Sequence, residues 1–280
     1  MRLCSFEAGG QTHYGIAHKD GGIVDLTRRL GDRYPTLLRL IEAGTVAEAA
    51  PFAESEAADF QEADVDFLPL YEEQVAIHCV GLNYAAHTAE ANMEQPDFPR
   101  TFFKTRSALV GHGQPFEMPT LSDHFDFEGE LAVVIGREAR NVAAADAMGC
   151  VLGYSCFMDG SVRDYQMERT VNQGKNFEKS SSMGPYLVTA DAVGDVAPLT
   201  LETRVNGERM QHTTFDRMIF SIPTTIEYLS GICRLNPGDV IATGTPEGVG
   251  FKRKPPRFLK RGDTVEVAIE RVGILANTVA

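Results

Sequence analysis

Apolar positions come in short runs along this chain, and more of the runs have the period of a strand than of a helix. Met1–Phe6 and Thr12–Ala17 read as strands around the turn Gly9-Gly10, and Asp20-Gly21-Gly22 turns the chain into Ile23-Val24-Asp25-Leu26. Apolar residues at helical spacing near Leu37–Ile41 predict an amphipathic helix, followed by a weaker Ala/Glu-rich one before Phe60. Residues 1–70 therefore read as a small separate unit, without a convergent polar cluster.

After Leu68-Pro69-Leu70 the texture changes. Val75–Val80 is an apolar run of buried type, Gly81-Leu82-Asn83-Tyr84 is a turn, and Ala85 to about Met93 reads as a helix ended by Pro96 and Pro99. Further strands are predicted at Ala132–Ile135, Val151–Phe157, Leu201–Val205, Val240–Ala242, Val265–Ile269 and Gly273–Val279. Asn206-Gly207 is a hairpin turn, Asn236-Pro237-Gly238-Asp239 a second turn, and Pro223 opens a helix to about Ile232 with Ser221 or Ile222 near its cap.

Composition narrows the function. The 280 residues are 43% hydrophobic with a net charge of −13, enough for a sizeable core and a poor match for nucleic acid. Five scattered cysteines show no pairing pattern, which predicts reduced thiols. Neither a signal-type start nor the roughly 18 apolar residues of a membrane helix is seen, so a soluble, cytoplasmic protein without membrane contact is expected.

The densest chemistry lies in Phe125-Asp126-Phe127-Glu128-Gly129-Glu130-Leu131. On one continuous strand, Phe125, Phe127, Leu131, Val133 and Ile135 share a face and Asp126, Glu128 and Glu130 share the other. Three carboxylates on one face are either a solvated acidic surface or the oxygen ligands of a hard cation such as Mg2+, Mn2+ or Ca2+. Asp159 ends an apolar strand, where it is either a third ligand or the N-cap of the helix that follows. Asp123-His124 reads as turn, and Arg163 and Asp164 as helix surface or an internal ion pair. His87 and Glu90 share a helix face, as a general base and the carboxylate that orients it require, although such a spacing is common by chance. Lys104, Lys175 and Lys179 lie beside aromatics, where a lysine is either a buried cation for an oxyanion or a snorkelling surface residue. Thr243-Gly244-Thr245-Pro246-Glu247-Gly248-Val249-Gly250 is Gly-rich but lacks the order of a phosphate-binding P-loop; its hydroxyls and amides suit a carboxylate. Lys252-Arg253-Lys254 beyond it reads as a solvated loop.

Taken in order, Val80-Gly81-Leu82-Asn83-Tyr84-Ala85-Ala86-His87, Phe103-Lys104, Glu128-Gly129-Glu130-Leu131, Asp159, Lys179 and Thr243–Gly250 resemble the fumarylacetoacetate hydrolase superfamily over about residues 72–280. The resemblance implies an α+β, mainly β fold: a twisted β-roll catalytic domain with short helices over residues 71–280, preceded by a small amino-terminal α/β domain over residues 1–70. It implies Mg2+ or Mn2+ on Glu128, Glu130 and Asp159, a water-activating dyad of His87 and Glu90 on a lid helix, and Lys179 on the substrate oxyanion. Thr245, Lys104, Gln166 and Arg163 are the expected substrate contacts, with Phe103 and Thr105 departing from the family's usual residues around Lys104. Met167, Arg169 and Gln173 are candidates for specificity. The implied reaction is hydrolysis of a C–C bond in a small 2,4-dioxo acid, with decarboxylation or tautomerisation of a 2-oxo dicarboxylic acid as the alternative, in the catabolism of aromatic compounds or sugar acids. A homodimer is expected.

Overall fold

The computed structural model describes residues 1–55, 57–90 and 93–280. Its strands, in chain order, are β1 (Arg2–Ala8), β2 (Gln11–Ala17), β3 (Ile23–Asp25), β4 (Ile77–Gly81), β5 (Arg100–Lys104), β6 (Gly129–Ile135), β7 (Val151–Met158), β8 (Ser181–Thr189), β9 (Thr200–Val205), β10 (Glu208–Thr214), β11 (Val240–Ala242), β12 (Thr264–Ile269) and β13 (Gly273–Thr278). The helices that matter below are α1 (Leu37–Glu42), α2 (Ala85–Glu90), α3 (Arg163–Glu168), α4 (Val171–Lys175) and α5 (Ile222–Ile232).

One large sheet runs β3-β2-β1-β8-β7-β6-β11-β4-β5, antiparallel along this path except where β11 lies parallel to β4, and the short strand Leu109–Val110 lies parallel to the start of β8. A second, antiparallel sheet of order β10-β9-β12-β13 covers one face. Leu131, Val133 and Ile135 of β6 meet Leu201, Val205, Val265 and Val267 in the core between the two sheets. The opposite face, with Ala132 and Val134, packs against the amino-terminal segment, where α1 buries Leu37, Leu38, Leu40 and Ile41. Burying an aliphatic side chain of this kind contributes about 1.5–3 kcal/mol. Thr36 caps α1 by accepting from the Arg39 amide at 3.3 Å. The mainly β architecture agrees with the sequence reading, and the first 70 residues add β1–β3, the short strand Asp66–Phe67 beside β1, and α1 to one end of the large sheet.

Several local expectations change. The run from Phe125 to Ile135 is not one strand: Phe125–Asp126 pairs with Ser161–Val162, and β6 begins only at Gly129. Asp126 therefore does not share a face with Glu128 and Glu130. Every residue of β6 is buried, which removes the solvated-face reading. Strand β8, which joins β1 to β7, escapes prediction because its Ser-rich start has no apolar period. The expected helix from Ala85 to Met93 is described as far as Glu90; residues 91 and 92 lie outside the described residues. Ser221 is the cap of α5, accepting from the Thr224 amide.

Candidate active site and metal centre

The site forms where β6 and β7 deliver acids to one point beside the turn after β11. Glu130 projects from β6, Glu128 just precedes it, and Asp159 follows the last residue of β7. One carboxylate oxygen from each lies within 4.8 Å of the other two, and all three residues are buried. The N-cap reading of Asp159 fails, because α3 starts only at Arg163 with Val162 in the cap position.

Such crowding is electrostatically costly. Burial pushes the Glu130 carboxyl well above the usual carboxylate range, and Asp159 and Glu128 push it further. Burial also raises Glu128, but Lys175 and Arg163 outweigh it and hold that carboxyl at about 2. Lys175 Nζ reaches Glu128 at 2.6 Å and Asp159 at 2.8 Å, and Arg163 reaches Glu128 at 2.7 Å. An oxygen-only cluster that crowded suits a hard divalent cation: the ion would relieve the repulsion that leaves Glu130 reluctant to ionise.

Four further groups frame the centre. His87 on α2 is buried, with Glu90 3.6 Å from its Nδ1. Burial pushes the Glu90 carboxyl up, but the His87 imidazole and the Gly248 amide outweigh it and hold it low. That amide donates to both Glu90 oxygens at 3.1 and 3.2 Å, tying α2 across the site to the Gly-rich loop. The base of α2 is fixed by buried Asn83, which donates to the carbonyls of Thr243 (2.8 Å) and Phe220 (3.1 Å) and accepts from the Phe220 amide. Gly244 makes this approach possible: its φ is +98°, and a Cβ there would lie 2.8 Å from Asn83 Cβ. The Gly244 amide donates to Glu130 at 2.9 Å.

These groups face a cleft of about 490 Å³, whose walls include His87, Phe102, Gln166, Lys175, Thr245 and Phe251 above the floor of Glu128 and Glu130. Arg163 forms one side. It donates to Asp126 at 2.8 Å and Gln166 at 2.9 Å, and it lies 4.3 Å from the centre of the Phe251 ring. Asp126 also accepts from the Gly250 and Phe251 amides, so the third acid of the sequence motif anchors the loop and Arg163 instead of joining the acidic triad. Thr245 donates its hydroxyl proton to the Gly129 carbonyl and accepts from Gln211, leaving an acceptor lone pair, not a donor, for a ligand.

Two predicted substrate contacts are placed elsewhere. Lys179 is half exposed and paired with Glu117 at 2.7 Å, outside the cleft. Lys104 is fully enclosed beneath Asp159, donating to Ser181 at 2.6 Å and to the Gly160 carbonyl at 3.3 Å, so it braces a metal-ligand candidate and does not line the cleft. A lysine that does reach the cleft, beside Arg163, is Lys175. The sequence holds a faint sign of it, a glycine just before it: Gly174 sits so close to α3 that a Cβ would lie 2.5 Å from Gln166 Cβ. Gln211 and Phe251 carried no sequence signal.

With the geometry in place, comparisons with known proteins are informative. The family model described as fumarylacetoacetate (FAA) hydrolase C-terminal matches residues 76–280. The chain is 38% identical to oxaloacetate tautomerase FAHD2B, mitochondrial, of Bos taurus, over 100% of this chain and 91% of that protein. Among solved structures, fumarylacetoacetate hydrolase from Exiguobacterium antarcticum is 34% identical with a TM-score of 0.85, covering 100% of this chain and 99% of that one. Maleylpyruvate hydrolase from Sphingobium sp. SYK-6, in complex with manganese (II) ion and pyruvate, is 32% identical with a TM-score of 0.81 and the same coverage. The cytoplasmic expectation is corrected here, because the relatives are named mitochondrial proteins. Among the described residues no helix is long and apolar enough to cross a membrane. The order of the sequence motifs, the sheet that assembles them and the match across residues 76–280 together place this chain, as an enzyme, in the fumarylacetoacetate hydrolase family.

Proposed function

We propose that the protein is a divalent-metal-dependent tautomerase that converts the enol of a 2-oxo dicarboxylic acid of the oxaloacetate kind to its keto form. The observation that carries this reading is one cleft holding an oriented imidazole and a buried lysine above three crowded carboxylates. Relatives spanning the whole chain at 36–38% identity carry the name oxaloacetate tautomerase, which favours this reaction over hydrolysis.

Glu128, Glu130 and Asp159 would hold Mg2+ or Mn2+, and such an ion supplies positive charge that steadies an oxyanion beside it. The chain's own groups move the protons. With Glu90 at Nδ1, the His87 ring keeps its Nδ1 proton toward the carboxylate and uses Nε2 for exchange with substrate. Lys175 spends two of its three N–H donors on Glu128 and Asp159, leaving the third for the substrate's 2-oxygen. Nε2 of His87 takes the enol O–H proton, whose bonding electrons form the 2-oxo group, and the imidazolium so formed returns a proton to C3, where the C=C pair receives it. Each group returns to its starting state when the protons re-equilibrate with solvent.

A second reading is hydrolysis of an acylpyruvate, favoured by the likeness to the manganese- and pyruvate-bound maleylpyruvate hydrolase. The same imidazole would then take a proton from water. The two readings separate by experiment: the ultraviolet absorbance of enol-oxaloacetate is followed with the Mn2+-loaded enzyme, beside acid release from acylpyruvates. Fast enol loss is expected, and His87→Ala slows it about 10²–10⁴-fold with Mn2+ still bound. Acylpyruvate hydrolysis with enol decay at the uncatalysed rate would transfer the assignment to the second reading.

A further inference from the structure

Resting on the reading of a 2-oxo diacid as substrate, the structure leaves one question about the cleft: what meets the second carboxylate. The obvious cations are already engaged. Arg163 is spread over Asp126, Glu128, Gln166 and the Phe251 ring. Lys175 is held between Glu128 and Asp159, and the Lys252 ammonium lies 4.8 Å from the centre of the Phe251 ring. Arg100 also lines the cleft and is exposed at its mouth, and its guanidinium has no hydrogen bond or ion pair among the described residues.

Strand β5 sets where Arg100 stands. Alternate residues of a strand share a face, so Lys104, Phe102 and Arg100 form one row. The row reads from floor to rim. Lys104 lies beneath Asp159, the Phe102 ring lies 5.3 Å from the Lys175 ammonium, and Arg100 opens the strand opposite Gly81. Lys104 and Arg100 are four steps apart on the strand, about 13 Å along the backbone. The long Arg side chain shortens that span, leaving room for a short carbon chain with an acid at each end. The charge pattern agrees: in a chain of net charge −13, the only acids among the described residues of the cleft lining are Glu128 and Glu130 at its floor, whereas the outer wall carries Arg100, with Lys252 engaged by the Phe251 ring. Apolar Met93, Met167 and Val171 share that outer wall, so they offer nothing else for an anion.

We propose that Arg100 binds the distal carboxylate of the substrate, making the cleft selective for 2-oxo dicarboxylic acids over 2-oxo monoacids. The guanidinium fork matches a carboxylate in two parallel hydrogen bonds, which a lysine reproduces only as a point charge.

The test compares wild type, Arg100→Gln and Arg100→Lys, all loaded with Mn2+. Calorimetry measures binding of 2-oxoglutarate, which keeps its carbon skeleton in solution, and of its distal methyl ester. Kinetics measures enol loss for oxaloacetate and for its distal methyl ester. Arg100→Gln is expected to weaken 2-oxoglutarate binding and raise the oxaloacetate KM by about tenfold to a hundredfold, with kcat and both esters unchanged. Arg100→Lys should recover part of the loss. Wild-type enzyme that binds diacid and ester equally, or Arg100→Gln that weakens both alike or neither, overturns the proposal. Failure of the tautomerase reading is distinguishable: wild type then leaves enol-oxaloacetate untouched while the calorimetric contrast between diacid and ester still decides the role of Arg100.

Discussion

Glu130 carries the sharpest electrostatic conflict in the chain, and its sign makes a prediction. A carboxyl raised in the folded state imposes no penalty below its unfolded value, where both states are protonated. The penalty grows as pH rises toward the folded value and is full above it, at about 1.4 kcal/mol per unit of displacement. Metal-free Glu130→Gln is therefore expected to melt higher than metal-free wild type at neutral and alkaline pH. The difference should vanish below about pH 4.3, as thermal scans across pH would record. The two lysines give a second contrast. Lys175→Met leaves Glu128 and Asp159 buried without their shared cation, a loss of about 3–5 kcal/mol from a broken buried pair, visible as a lower melting temperature in the metal-free protein. Lys179→Met removes only a solvent-screened exposed pair and should leave both stability and turnover near wild type.

Among the elements, the turn after β11 matters most. Its Gly244 accepts a positive φ, lets Asn83 come close, and gives its amide to Glu130, while Gly248 four residues on holds Glu90. Strand end, lid helix and acidic floor are thus linked through one loop. Gly244→Ala should be strained in both conformation and contact, destabilising the fold by roughly 1–3 kcal/mol and lowering turnover more than that loss explains, because both Glu130 and the base of α2 shift. Denaturant melts and kinetics on the same preparation would separate the two effects. Unchanged turnover in a folded variant would deny the loop this linking role.

For the molecule as a whole, the amino-terminal segment and the catalytic strands share a sheet and a core. Leu3 and Tyr14 pack with Ile77, Val134 and Leu187, and β1 pairs directly with β8. Deleting residues 1–70 would open the β8 edge and an apolar face together, so residues 71–280 alone should aggregate or fail to give a cooperative melt. Mn2+ at a hundred times its dissociation constant should stabilise the complete chain by about 2.7 kcal/mol, and Glu128→Gln should lose most of that increment. A melting temperature indifferent to Mn2+ in wild type would count against the acidic triad as a metal centre.

Local pattern alone determined much of this protein. Strands β1, β2, β6, β7, β9, β11, β12 and β13 and helices α1 and α5 follow from the pattern of apolar residues, because each buries either one face at its own period or, as in β6 and β11, a continuous apolar run. For Glu128, Glu130 and Asp159 local pattern left a solvated face and an N-cap as alternatives, and only the resemblance to a family implied that the three bind a metal. Only the tertiary structure decided which neighbours joined them. Asp126 lies two residues from Glu128 yet turns to Arg163 and a loop 124 residues away in sequence. Lys175 and Lys179 sit in one short segment, yet Lys175, the last residue of α4, meets the acids while Lys179, in the turn that follows, stands in water. A sequence gives each side chain its chemistry and its local direction. Whether a charge is buried, paired or free depends on which distant backbone closes over it, and that is settled only when the sheets pack.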